Sequence, residues 1–172
     1  MALTYQLISS NVLASSAASI TFSSIPATYT DLVIRMSVRS DRAATTDTVK
    51  ITFNNDTSSI YSYTRIRSDA ATVTSGRDSA LAYANTGLTN ANTSTANTFA
   101  SSEIYIPSYT VSQNRPLSVF TTQEDNTTTA YIHAQANLYS STTAISRIDL
   151  ALLTGPNFLT GSSFYLYGIK NS

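Results

Sequence analysis

Asp31-Leu32-Val33-Ile34-Arg35-Met36-Ser37-Val38-Arg39 decides how this chain folds. Leu32, Ile34, Met36 and Val38 occupy every second position, with Val33, Arg35, Ser37 and Arg39 between them. A period of two belongs to a β-strand, whose successive side chains leave opposite faces; a helix would group its apolar residues three and four apart. The alternation recurs on both sides of this stretch. Thr48 to Phe53 sets Val49, Ile51 and Phe53 against Lys50 and Thr52, and Ser146 to Leu152 sets Ile148, Leu150 and Leu152 against Arg147 and Asp149. Ala130 to Tyr139 reads as an inner row of Ala130, Ile132, Ala134, Ala136 and Leu138. Its outer row is Tyr131, His133, Gln135, Asn137 and Tyr139.

Shorter apolar runs complete the set: Leu3–Ile8, Ser19–Phe22, Ile60–Ile66, Phe99–Ile106, Leu117–Thr122 and Ser163–Ile169. Between them stand turn formers such as Ile25-Pro26, Asn54-Asn55-Asp56, Asn114-Arg115-Pro116, Glu124-Asp125-Asn126 and Gly155-Pro156-Asn157, where proline fixes φ or Asn and Asp bond to their own backbone. Clean alternation signals antiparallel sheets with one wet face, because parallel strands are buried on both faces. The expectation is one all-β domain over residues 1–172, an antiparallel two-sheet β-sandwich with jelly-roll topology, its fold complete from Leu3 to Ile169. Asp78 to Asn85 could form two helical turns at most, since Thr86 and Gly87 follow. Residues 67–98 break the rhythm, and Thr89 to Thr98 (TNANTSTANT) is close to low complexity. That length suggests an irregular loop, either an arm that orders against a neighbouring subunit or a mobile surface segment.

Composition narrows the partners. Charged residues make up 12% of the 172-residue chain, ten basic and ten acidic, so the formal net charge is zero. Ordinary soluble proteins carry about 25% charged residues; here 27 serines, 27 threonines and 12 asparagines take their place. Only Lys50 and Lys170 are lysines. Nucleic-acid binding, which draws its affinity from basic excess, is not expected. A near-neutral surface favours association instead. No cysteine is present, which excludes disulfides and thiolate metal sites. No apolar run approaches the ~20 residues of a membrane span. The start, Met1 to Ile8, has no positive charge ahead of its apolar residues, so it reads as a first strand and not a signal peptide.

Catalytic chemistry finds little to work with, and no catalytic, cofactor-binding or metal-binding residue is assigned. His133 is the only histidine; on the polar row of its strand it is expected to face solvent, without the partners a triad needs. Glu103 falls in a strand and Glu124-Asp125 in a turn, a poor match to paired carboxylates across one cleft. Asp41, Asp47, Asp56, Asp69 and Asp125 sit in inferred loops, from several of which a calcium site could be assembled, but without the ligand spacing of an EF-hand the default reading is solvated turn residues. Five scattered glycines make no phosphate-cradling run. Asn55-Asp56-Thr57, Asn92-Thr93-Ser94 and Asn126-Thr127-Thr128 match the glycosylation pattern, as chance allows in such a composition.

Tyrosine is the positive signal, with eleven copies. Tyr61, Tyr63, Tyr105, Tyr131, Tyr139, Tyr165 and Tyr167 fall in strands; Tyr61 and Tyr63 share a face with Arg65, and Tyr131 and Tyr139 share one with His133. Tyrosine combines apolar area with a hydrogen-bonding tip, which suits interfaces. Cross-strand stabilisation accounts for most of them, yet those on outward rows look like a face meant to be covered.

Three stretches resemble a loose group of small tailed-bacteriophage virion proteins. They are Tyr5 to Leu13 (YQLISSNVL), Ala18 to Arg35 (ASITFSSIPATYTDLVIR) and Gly161 to Lys170 (GSSFYLYGIK). The resemblance implies a β-sandwich that decorates the particle, without enzymatic activity. The expected role is a capsid decoration or cement protein on the virion surface. Its partners would be itself, as a homotrimer, and the major capsid protein. The alternative is a tail-fibre or tail-tip module that binds a host surface glycan; the absence of a heptad attachment segment favours cement over fibre. An enzyme such as a depolymerase fits least.

Overall fold

The rows that alternate in the sequence assemble into two antiparallel sheets in the computed structural model, which describes residues 4–70, 72–126 and 130–170. Twelve strands form: β1 (Tyr5–Val12), β2 (Ser19–Phe22), β3 (Asp31–Val38), β4 (Thr46–Phe53), β5 (Tyr61–Asp69) and β6 (Thr72–Leu81), then β7 (Ala84–Asn90), β8 (Ala100–Ile106), β9 (Arg115–Gln123), β10 (Tyr131–Tyr139), β11 (Ile148–Leu152) and β12 (Ser163–Ile169). The large sheet has eight strands in the order β1-β12-β3-β8-β9-β10-β5-β6, and the small sheet has four in the order β2-β11-β4-β7. From β1 to β5 the chain crosses between sheets at every connection, and it crosses again on either side of β7 and β11. This is the back-and-forth wiring of the expected jelly-roll sandwich. Leu3, where the first strand was expected to begin, lies outside the described residues.

The core forms where apolar rows from both sheets meet. Leu32, Ile34, Met36 and Val38 of β3 face Val49, Ile51 and Phe53 of β4 and Ile148, Leu150 and Leu152 of β11, all buried. Ile104, Leu117, Val119, Phe164 and Leu166 extend the large-sheet side. Burial of each such side chain is worth about 1.5–3 kcal/mol. One end is closed by aromatic contacts: Tyr61 stacks on Tyr139 with ring centroids 4.9 Å apart, and Phe53 lies 5.2 Å from Tyr139. Asn54 and Asn55 take the left-handed backbone conformation that their short side chains tolerate (φ 53° and 58°), and so turn the chain from β4 towards β5.

Three expectations need correction. Residues 67–98 do not form one irregular arm: β5 runs on to Asp69, β6 pairs along it, and β7 joins the small sheet beside β4. Asp78 to Asn85 is strand and turn, with no helical turn. The third correction is the largest. In β10 the two rows are exchanged. His133, Gln135, Asn137 and Tyr139 are buried, while Ile132, Ala134 and Ala136 are exposed. Periodicity tells that two faces exist; what packs opposite decides which one is covered. Opposite β10 lies β7, where Ala84 and Gly87 are buried together with the polar Thr86, Thr89 and Asn90, so much of the polar row meets polar partners.

Candidate functional site

The outer face of the eight-stranded sheet is the first candidate. Strand pairing aligns three rows across it. One runs Ile66–Ala134–Phe120–Glu103–Arg35–Tyr165, the next Thr64–Ala136–Ser118–Tyr105–Val33–Tyr167–Leu7, and the third Val73–Ser68–Ile132–Thr122–Ser101–Ser37–Ser163. Large apolar side chains stand open on these rows: Val73 is 70% exposed, Ile66 57%, Phe120 54%, Ile132 52% and Leu7 51%. Small residues between them leave two shallow grooves flanking Phe120. One, of about 430 Å³, runs from Phe120 over Ser37 and Ser101 to Tyr165 and Tyr167. The other, of about 480 Å³, lies between Phe120, Ile66 and Tyr105 above Ala134 and Ala136. The charges at the centre of the face cancel: Arg35 Nε donates to Glu103 at 2.8 Å.

Tyrosines divide between the faces. Tyr5, Tyr105, Tyr165 and Tyr167 belong to the outer side, where Tyr5 meets Tyr167 edge-on at 6.4 Å and Tyr105 donates to Asp31 at 2.9 Å. Tyr61, Tyr63, Tyr131 and Tyr139 line the inner side instead. The sharing of faces read from the sequence is correct for both pairs. Placing Tyr131 and Tyr139 on an outward row is not.

The second candidate is the polar part of the interior. Inner rows across β9, β10, β5 and β6 read Thr121–His133–Arg67–Thr74 and Val119–Gln135–Arg65–Gly76. His133 is 2% exposed, Gln135 5%, Asn137 3% and Gln123 1%. Far from facing solvent, His133 sits opposite Arg67 with its ring 6.0 Å from that of Tyr131. Burial, then the nearby charges of Arg67 and Arg65, push its pKa down to about 4, so the ring is neutral near pH 7. Among the described residues no carboxylate or hydroxyl bonds it, as a triad would require, and neither ring nitrogen has a partner.

The low-complexity stretch is held by one side chain that the sequence did not mark. Arg39 is buried, and its guanidinium donates to the carbonyls of Thr95 (2.7 Å), Thr98 (2.9 Å), Ser94 (2.9 Å) and Asn92 (3.3 Å). Asn90 Nδ2 adds a 2.6 Å bond to the Thr98 hydroxyl. Arg115, fully buried, serves another loop crossing in the same way by donating to the carbonyls of Tyr109, Gln113 and Thr143. Of the aspartates expected in loops, Asp47 falls in β4 and Asp69 at the end of β5; at least three of the five accept hydrogen bonds. Asp47 accepts from Ser40 and from the Gly155 and Thr48 amides, Asp41 from Asn157, and Asp56 from Ser58. Glu124 caps its own turn by accepting from the Asn126 amide at 2.7 Å. Thr127 and Thr128 of the third glycosylation match lie outside the described residues. Among the described residues no three His, Asp or Glu side chains gather as a metal site would need.

No protein-family model matches the chain, and no curated protein matches it. Among solved structures, an exo-inulinase from Aspergillus awamori is similar over 96% of this chain at 14% identity and a TM-score of 0.47. This chain spans only 30% of the inulinase. The galectin LEC-6 of Caenorhabditis elegans aligns over 98% of this chain and 96% of its own, at 8% identity and a TM-score of 0.37.

Proposed function

We propose that the chain is a non-enzymatic structural protein of a bacteriophage particle, a capsid decoration protein whose outer sheet face docks against the shell and neighbouring copies. The carrying observation is that face, with Phe120, Ile66, Ile132, Val73 and Leu7 open on a surface whose central ion pair is self-compensated. Eight strands at ~4.8 Å spacing and three rows at ~6.8 Å give roughly 780 Å², near the ~800 Å² per partner of a stable interface. The resemblance of Tyr5–Leu13, Ala18–Arg35 and Gly161–Lys170 to small virion proteins supplies the setting, and zero formal net charge removes self-repulsion. Repetition of a modest contact over a shell adds avidity.

Purified protein is expected to run as an oligomer in light scattering and to rebind capsids stripped of their decoration. A protein that stays monomeric, ignores capsids and instead binds host polysaccharide would reject this reading.

A further inference from the structure

We propose that the inner face of β5 carries a binding site for an oxyanion, a carboxylate, sulfate or phosphate group, gripped by Arg65 and Arg67 beside the buried His133 and Gln135 of β10. The site lies on the face opposite the docking surface and does not depend on it.

Two arginines stand here at alternate positions of β5, on one face, without a carboxylate to answer them. Among the described residues three ion pairs form: Arg35–Glu103, Arg42–Asp47 and Arg147–Asp149. Neither Arg65 nor Arg67 belongs to any of these, although Asp69 and Asp78 occupy the rows on either side. Their planes are instead steered by tyrosine rings. Arg65 lies 5.6 Å from the Tyr63 ring centre and Arg67 5.2 Å from that of Tyr131. Arg65 also donates to the Tyr63 hydroxyl at 3.2 Å. Both Nε atoms nonetheless remain buried without an acceptor. A donor on a cation left without an acceptor is unfavourable, so a ligand supplying acceptors there is favoured.

The adjoining strand repeats the message. Both ring nitrogens of His133 and both amide atoms of Gln135 are buried without partners, and so are those of Gln123 one row away. Native interiors rarely leave such groups unsatisfied, and each asks for an explanation. The space over β6 is shaped for the guanidinium: a Cβ at Gly76 would stand 3.3 Å from Arg65 Nε. Tyr63, Arg65, Arg67 and Tyr131 are half-exposed while His133 and Gln135 are closed off by β7. The cluster therefore opens past the free edge of β7, where β5 and β6 extend beyond the small sheet. Guanidinium groups bind oxyanions through short charge-assisted bonds, and two of them match a group bearing one or two negative charges.

His133, being the only histidine, gives an unambiguous ring signal in proton–carbon NMR. The full chain is titrated with sodium sulfate, sodium phosphate or sodium glucuronate, against sodium chloride at matched ionic strength. The proposal expects a saturable shift of the His133 ring with at least one oxyanion. Saturation by sulfate or phosphate alone marks a free-anion site, and saturation by glucuronate marks a carboxylate carried on a sugar. Arg65→Gln/Arg67→Gln should weaken that binding at least tenfold. Arg67→Gln alone serves if the double variant does not fold, which its thermal transition reports. A His133 ring that moves no further than in chloride, or a variant that titrates like the parent, overturns the site.

Discussion

Arg39 organises a stretch that has no pattern of its own. Four backbone carbonyls of residues 92–98 converge on its guanidinium, and charge-assisted bonds of this kind contribute about 1.5–3 kcal/mol each before coupling is considered. Replacing Arg39 with Met is expected to cost about 3 kcal/mol in urea denaturation and to deprotect the 91–98 amides in hydrogen exchange. A mobile loop would show neither effect. His133 makes the complementary point. With its pKa held near 4 in the fold against 6.5 unfolded, the unfolded chain binds the extra proton first. The contribution of His133 to stability is therefore constant above pH 6.5, falls as pH drops through the window from 6.5 to 4, and levels off below it, by about 3 kcal/mol. Asp56, lowered by hydrogen bonds from Ser58, acts only below that window. His133→Gln should flatten the pH 4–6.5 slope in thermal denaturation. Neither role could be read from the sequence, because one buried arginine or histidine looks like any other until its neighbours are known.

At the scale of elements, the strands that were legible are those with an apolar row. Leu32/Ile34/Met36/Val38, Val49/Ile51/Phe53 and Ile148/Leu150/Leu152 announce both strand and inner face, and all are buried. β6 was invisible because it has no facing layer; it is exposed along almost its whole length and is held by pairing to β5 alone. β7 was invisible for another reason: apart from Ala84 its buried residues are Thr86, Gly87, Thr89 and Asn90, polar or absent side chains that cover the polar row of β10. Gly87 marks where the sheets come closest. Its φ is +90°, and a Cβ there would stand 3.0 Å from Thr121 and 3.2 Å from Gln135 Nε2. Gly87→Ala is expected to destabilise by about 2–4 kcal/mol through strain and overpacking together, seen as a lower urea midpoint with an unchanged slope.

The whole molecule has two unlike sides. The inner face grades from a hydrocarbon core into a polar layer, and the outer face of the large sheet holds apolar residues that the sequence seemed to assign inside. Ile132, Ala134 and Ala136 are apolar because of what covers them from outside, on the proposed reading, and that partner is invisible to a single chain's periodicity. Phe120→Asp/Ile132→Asp should leave the thermal transition nearly unmoved, since exposed positions shift stability by about 0.5 kcal/mol or less. The same pair should cut self-association and capsid rebinding at least tenfold, measured by sedimentation.

Because the chain has no cysteine, thiol labelling can interrogate neighbouring positions of β10 directly. Single variants Ala134→Cys and Gln135→Cys are labelled first in the free protein and then on assembled particles. The account predicts fast labelling of residue 134 in the free protein, strong protection of it after assembly, and slow labelling of residue 135 in both. Fast labelling at 135 with 134 shielded in the free chain, or equal reactivity of 134 before and after assembly, would contradict it.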